Sequence, residues 1–274
     1  GYKRSGDYEL QLRLLDKISF SDIIKFLNKT RISECLMFTI SGNFNKKTVL
    51  NFFKSLPRLE NKNRCLMKSV KSMEHCFTLE KKFICVKNSK FTNTNILIYF
   101  PIDLKVGNFE KSALGFLTNI FSSGLNSILL KRLRLDLNLI YSLSIDIDTN
   151  DCGTTLVIST ETIDKNAKKV IYEIFKILKK YKSTLLDKNK IENTKKKWIM
   201  NINNICLTNP DAVSNYYRNQ YFWQLYSKNK SIFTISLLIK KIKTLEQHIL
   251  KDIINKVFNF NTYILAYGSK KKLI

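Results

Sequence analysis

Only two histidines, His75 and His248, occur in the chain. A zinc hydrolase built on H-E-x-x-H or H-x-x-E-H needs two on one helix face with a glutamate base. The nearest approach, Lys71-Ser-Met-Glu-His75, puts a lysine where the first ligand would stand. A lysine ammonium cannot bind zinc while it keeps its proton, so no metal site is assigned to this chain. His248 has no cysteine or acidic partner at ligand spacing and reads as a surface residue. The chain also lacks a P-loop, a G-x-G-x-x-G and a G-x-S-x-G, which removes the common nucleotide-binding and serine-hydrolase signatures. No apolar run approaches the ~20 residues needed to cross a bilayer; the densest, 95–102, is strand-sized. The six cysteines (Cys35, Cys65, Cys76, Cys85, Cys152, Cys206) show no C-x-x-C pair and no disulfide-framework spacing. They read as reduced, mostly buried thiols, which points to a reducing intracellular compartment, the cytoplasm or an organelle matrix. A Met start is absent as well, consistent with a chain that begins part-way into a longer protein.

Arginine is scarce too. Of 47 basic residues 8 are Arg, against a formal net charge of +25. Sequence-reading nucleic-acid proteins favour arginine forks and aromatics gathered on one face. Here lysines fall on the polar sides of amphipathic helices, as at Lys176, Lys179, Lys180 and Lys182. The charge therefore reads as solvated surface from a biased codon usage, with nucleic acid or acidic lipid as the disfavoured alternative.

The hydrophobic content of 44% over 274 residues is that of a folded chain. An internal echo organises it. Residues 18–43 and 242–269 each carry a capping-box pattern, Ser19-x-x-Asp22 and Thr244-x-x-Gln247, then a short amphipathic helix, a connector and an apolar strand ending at Gly42 or Gly268. The spacing of about 226 residues suits a duplicated α/β unit. Residues 1–45 then form the tail of a first copy, 46–79 a linker region that opens as a helix and breaks at Pro57, and 80–274 a complete second copy.

Within the second copy the patterns predict strands at 81–87 and 94–100, the latter interrupted at Pro101. Helices follow at 108–121 and, after Ser122-Ser-Gly124, to about 136. Strands at 140–148 and 153–160 flank a turn. A helix at 163–181 aligns Ile163, Ala167, Val170, Ile171, Ile174, Phe175, Leu178 and Tyr181 on one face. Pro210 suits a first helical turn, and a last strand covers 262–267. The order is α+β rather than doubly wound.

Residues 121–143, FSSGLNSILLKRLRLDLNLIYSL, resemble a signature of the second half of pitrilysin/insulinase-type zinc metallopeptidases, G-G-G-M-S-S-x-L-F-x-x-L-R-x-x-x-G-L-x-Y-S-V. Gly124, Leu125, Ser127, Leu129, Leu133, Arg134, Leu139, Tyr141 and Ser142 match at identical spacing. Ser122 and Ser123 replace glycines, Asn126 replaces Ser, and Asn138 replaces the helix-ending Gly. Asn is the non-glycine residue best suited to a left-handed position there. The likeness extends over 18–43 and 163–268.

The resemblance implies a clamshell of two homologous halves, the first holding H-x-x-E-H and zinc, the second zinc-free. It implies a pitrilysin-like duplicated α/β sandwich, with Arg134 and Tyr141 facing a peptide or protein substrate. Guanidinium and phenol donors suit a scissile carbonyl. The competing reading is structural: Arg134 capping a helix and Tyr141 packing. The expected function is the substrate-closing half of a zinc endopeptidase, partnered by an upstream catalytic half or subunit that carries the zinc. The alternative is a non-catalytic scaffold or assembly subunit, and a basic nucleic-acid module is a distant third.

Overall fold

The computed structural model describes residues 8–30, 38–55, 83–87, 90, 92–102, 108–150, 153–226, 232–258 and 262–268. Two compact units are present: Gly1–Lys71 with Ile205–Ile232, and Ser72–Asn204 with Phe233–Ile274.

The first unit contains α1 (Tyr8–Leu15), α2 (Phe20–Thr30), α3 (Lys46–Ser55) and α8 (Pro210–Tyr226). Pro210 does open its helix. The capping box before α2 forms in both directions: the Ser19 amide donates to Asp22 Oδ2 at 3.0 Å, and the Asp22 amide donates to Ser19 Oγ at 3.2 Å. The strand expected at 37–41 is not found. Met37 lies outside the described residues, and Phe38–Ser41 belong to neither helix nor strand. A strand exists only through bonds to a neighbour, and no strand is among the unit's described residues. Thr39 is held by α8 instead, its hydroxyl 2.9 Å from Ser214 Oγ, which also donates to the Thr39 carbonyl at 2.9 Å. None of the described side chains of this unit is buried, and Phe20, Phe26, Phe38 and Phe52 are all exposed.

The second unit is a five-stranded sheet with helices: β1 (Phe83–Lys87), β2 (Thr94–Ile102), α4 (Asn108–Ser122), α5 (Ile128–Leu130) continued by a π-helix (Lys131–Asp136), β3 (Leu143–Asn150), β4 (Gly153–Thr162), α6 (Ala167–Ser183), α7 (Lys188–Thr208, to Asn204 in this unit), α9 (Ile235–Lys243), α10 (Gln247–Val257) and β5 (Tyr263–Gly268). The order is β1-β5-β2-β4-β3, with β1 parallel to β5 and the other pairings antiparallel. Period-2 alternation decides which face is covered. On β2, Ile96, Ile98, Phe100 and Ile102 are buried while Asn95 is exposed. Phe100 packs on Phe175 of α6 and on Phe258, which follows α10, with ring centroids 6.3 and 5.1 Å apart. Phe121 of α4 meets Tyr181 and Phe258 at 5.6 and 5.8 Å. This aromatic cluster ties α4, α6 and α10 to one face of the sheet.

Several expectations need correction. Pro101 does not interrupt β2, because β5 pairs only as far as Tyr99. Beyond it β2 has a neighbour on one side alone among the described residues, a position that tolerates a proline. The strand expected from 140 starts at Leu143. Ile163 is exposed, since a 3₁₀ turn (Asp164–Asn166) intervenes before α6 and takes Ile163 off its buried stripe. The second capping box does not form. Thr244 is the C-cap of α9, its hydroxyl donating to the Lys241 carbonyl, and Gln247 Nε2 donates to the Leu186 carbonyl. Helices are present at both 20–30 and 247–257, and among the described residues a strand follows the second alone, at Tyr263–Gly268. Cys206 is exposed rather than buried, and Cys85 is half-buried on β1. Cys35, Cys65, Cys76, Cys152 and the Lys71–His75 stretch lie outside the described residues.

Candidate functional site

Residues 121–143 form the junction between α4 and β3, and local backbone chemistry shapes it. After α4, Gly124 takes φ +81°, a left-handed conformation that suits glycine. Ser127 begins the next helix, and its buried hydroxyl has no hydrogen-bond partner among the described residues. Ile128, Leu129, Leu130 and Leu133 are buried and fix the helix against the core. From Lys131 the helix widens: the Leu137 amide reaches back five residues to the Arg132 carbonyl at 3.1 Å.

Asn138 ends this helix with φ +47°, the only positive-φ non-glycine among the described residues. The left-handed asparagine expected from the sequence is therefore in place. The Leu139 amide then donates to the Leu133 carbonyl at 2.8 Å. That closure spans one residue more than the usual Schellman bond, as the preceding π turn requires.

The next residues are pinned from β4. Thr162 Oγ1 donates to the Leu139 carbonyl at 2.6 Å, and Thr160 Oγ1 donates to the Ser142 carbonyl at 2.7 Å. Leu139 and Ile140 are buried. Tyr141, between these anchors, is 79% exposed. The sequence reading missed Thr160 and Thr162. Their signal was a pair of threonines at alternate positions, following Leu156 and Ile158 on the same buried face of β4.

Arg134 and Tyr141 are brought together, with the Arg134 Cζ 4.8 Å from the Tyr141 ring centroid. At that distance the guanidinium is attracted to the ring face, which holds the two side chains as a pair. No carboxylate lies within salt-bridge distance of Arg134 among the described residues. Asp136, two residues on, pairs instead with Arg132 at 3.8 Å. Arg132 Nε also meets the buried Glu173 at 3.3 Å. Arg134 is half-buried. Guanidinium N–H groups and a phenol O–H, neither committed to an acid among the described residues, are hydrogen-bond donors able to meet an incoming carbonyl or carboxylate.

His248 is exposed, with Nδ1 3.5 Å from Glu246 Oε2. Among the described residues no group of three or more His, Cys, Asp or Glu is placed to hold a metal ion. No described helix is long and apolar enough to cross a membrane.

Known structures share this architecture. A peptidase M16 inactive domain from Pseudomonas fluorescens is similar over 69% of this chain and 43% of its own, with TM-score 0.58 and 12% identity. A protease from Helicobacter pylori matches over 93% of this chain and 60% of its own, with TM-score 0.65 and 12% identity. A chain of Complex III2 from Candida albicans matches over 95% and 61%, with TM-score 0.70 and 12% identity. The chain thus spans about half of the length of the structures it resembles. No curated protein matches its sequence significantly. At these identities the likeness establishes the fold, and the sequence supplies the family: residues 17–197 match the family described as "Peptidase M16 inactive domain". The chain belongs to the peptidase M16 family, the pitrilysin-like metallopeptidases, and carries that family's inactive domain.

Proposed function

We propose that this chain is the zinc-free, substrate-closing half of a peptide-cleaving metalloendopeptidase. In this reading Arg134 and Tyr141 donate hydrogen bonds to the scissile carbonyl, and a complementary half carries H-x-x-E-H and the zinc. The observation that carries it is the Arg134–Tyr141 pair: adjacent, accessible, and free of any neutralising carboxylate among the described residues. Held by the Asn138 turn and the two threonine anchors, the donors cost little to order when charge develops on a carbonyl oxygen. A π turn at this place adds support, since such turns recur at functional sites. Zinc in the partner half would supply the activated water; this chain would position and polarise the peptide bond.

The division into a first-copy tail (1–45), a linker region (46–79) and a second half (80–274) belongs to the same proposal. The exposed phenylalanines of the first unit support it, as a core face that needs more structure to cover it. The exposed free thiol of Cys206 agrees with a reducing compartment. A second reading, a scaffold or assembly subunit, is favoured by the similarity to a Complex III2 chain over 95% of this one. The test is reconstitution with an H-x-x-E-H half. Peptide cleavage by the mixture, absent from either component alone, supports the peptidase reading; a stable, silent complex supports the scaffold.

A further inference from the structure

A concave cleft of about 590 Å³ opens between the α5–π segment, α6 and the start of α7. Its volume falls in the range of small-ligand sites. Five cationic side chains line it, Lys131, Arg132, Lys176, Lys180 and Lys190, against two carboxylates, Asp136 and Glu173. Both carboxylates are already engaged. Glu173 is buried and contacts Arg132 at 3.3 Å and Lys176 at 3.9 Å, and Asp136 contacts Arg132 at 3.8 Å. Lys131, Lys180 and Lys190 have no carboxylate within 4 Å among the described residues, so three positive charges line one cleft without a salt-bridge partner there, Asp187 acting on Lys190 only from farther away.

Lys190 shows the cost of this arrangement. Burial, and then the charge of Lys131, push its ammonium below lysine's ordinary value, with Asp187 opposing. One of its protons goes to the Asn126 carbonyl at 2.7 Å, a neutral acceptor that leaves the charge unmatched. An anion lying between Lys131 and Lys190 would relieve both the repulsion and the poor solvation. The concavity favours a compact ligand over a flat protein surface, and three spare cations exceed what one carboxylate needs.

We propose that this cleft binds a small anion bearing two or more phosphoryl groups, such as a diphosphate-containing metabolite. Lys131 and Lys190 would bracket the phosphates, and Lys180 would stand at the rim. The Arg132–Glu173–Lys176 network would fix the floor. The cleft is independent of Arg134 and Tyr141, so the proposal stands apart from the peptidase reading.

Calorimetric titration of the 274-residue chain with sodium pyrophosphate, at fixed ionic strength near ~0.15 M so that diffuse attraction is screened, tests it. One saturable site is expected, with inorganic phosphate binding more weakly. Lys131→Gln and Lys190→Gln should each weaken pyrophosphate binding by about tenfold, equivalent to ~1.4 kcal/mol. A control carrying Lys240→Gln and Lys256→Gln, two exposed lysines on α9 and α10 that do not line the cleft, should bind like the unmodified chain. Pyrophosphate should also raise the unfolding midpoint of the unmodified chain more than that of the folded Lys131→Gln variant. Absence of saturable binding at millimolar pyrophosphate, or equal weakening in the control, would overturn the site.

Discussion

Replacing Asn138 isolates one backbone torsion at the centre of the site. Its φ of +47° is a conformation in which an L-residue with a Cβ costs about 1–2 kcal/mol. Asparagine bears part of that cost, because its short amide can bond locally. Alanine cannot, glycine has no Cβ to strain, and a β-branched residue is worst. The turn cannot escape by relaxing. The Leu139 amide is bonded to Leu133, the Leu139 carbonyl to Thr162, and both Leu139 and Ile140 are buried. Asn138→Ala should therefore lose about 1 kcal/mol and Asn138→Val about 2, while Asn138→Gly should be neutral or slightly stabilising. With an assumed urea slope of ~2 kcal/mol/M, the alanine variant's midpoint falls by roughly 0.5 M. Tryptophan fluorescence during urea unfolding reads this, since Trp198 packs on Phe116 in the core with ring centroids 5.5 Å apart. Equal midpoints for Ala, Val and Gly variants would refute the reasoning.

Other outcomes follow from the same structure. Ser127→Ala should be neutral or raise stability by up to ~1 kcal/mol, because the buried hydroxyl has no partner to lose among the described residues; a loss of the usual capping size would show that it acts as a cap after all. Leu133→Ala, at a fully buried position beneath the Arg134 turn, should cost ~2–5 kcal/mol in chemical unfolding, and a cost under 1 would contradict its place in the core. Partial burial, and then Tyr217, push Tyr216 up to about 12. The unfolded tyrosine ionises near ~10, so the stability it lends is intact below that pH and lost as pH rises toward 12. Tyr216→Phe should flatten the alkaline fall in unfolding temperature across that window; an unchanged fall would exclude Tyr216 as its source. Metal analysis of the purified chain should find no stoichiometric zinc, and about one tightly held zinc per chain would contradict the donor inventory.

How far the sequence carried varies by element, for physical reasons. The buried stripe of α6 and the alternation of β2 were legible because periodicity reports directly which side meets a core. Asn138 was legible because few residues tolerate a left-handed backbone. The pairing of Arg134 with Tyr141 came from a motif, and the π turn that sets it was hidden: a widened turn has no composition of its own. Leu133, Leu135 and Leu137 even alternate as a strand would, yet they lie in and just beyond a helix, with Leu133 buried and Leu135 exposed. Thr244 misled because a threonine before a polar residue can end one helix as readily as begin the next. Phe38–Ser41 misled because strand propensity does not provide a neighbouring strand.

The most direct test of the central claim is kcat/KM for a peptide substrate in an enzyme reconstituted with an H-x-x-E-H half, comparing Arg134→Ala and Tyr141→Phe with the unmodified chain. If the pair donates to the scissile carbonyl, each change should cost on the order of 10²–10³ in rate, ~2.7–4 kcal/mol, with folding and zinc content intact. Cleavage at the unmodified rate by both variants would contradict the claim and return the pair to a purely structural role.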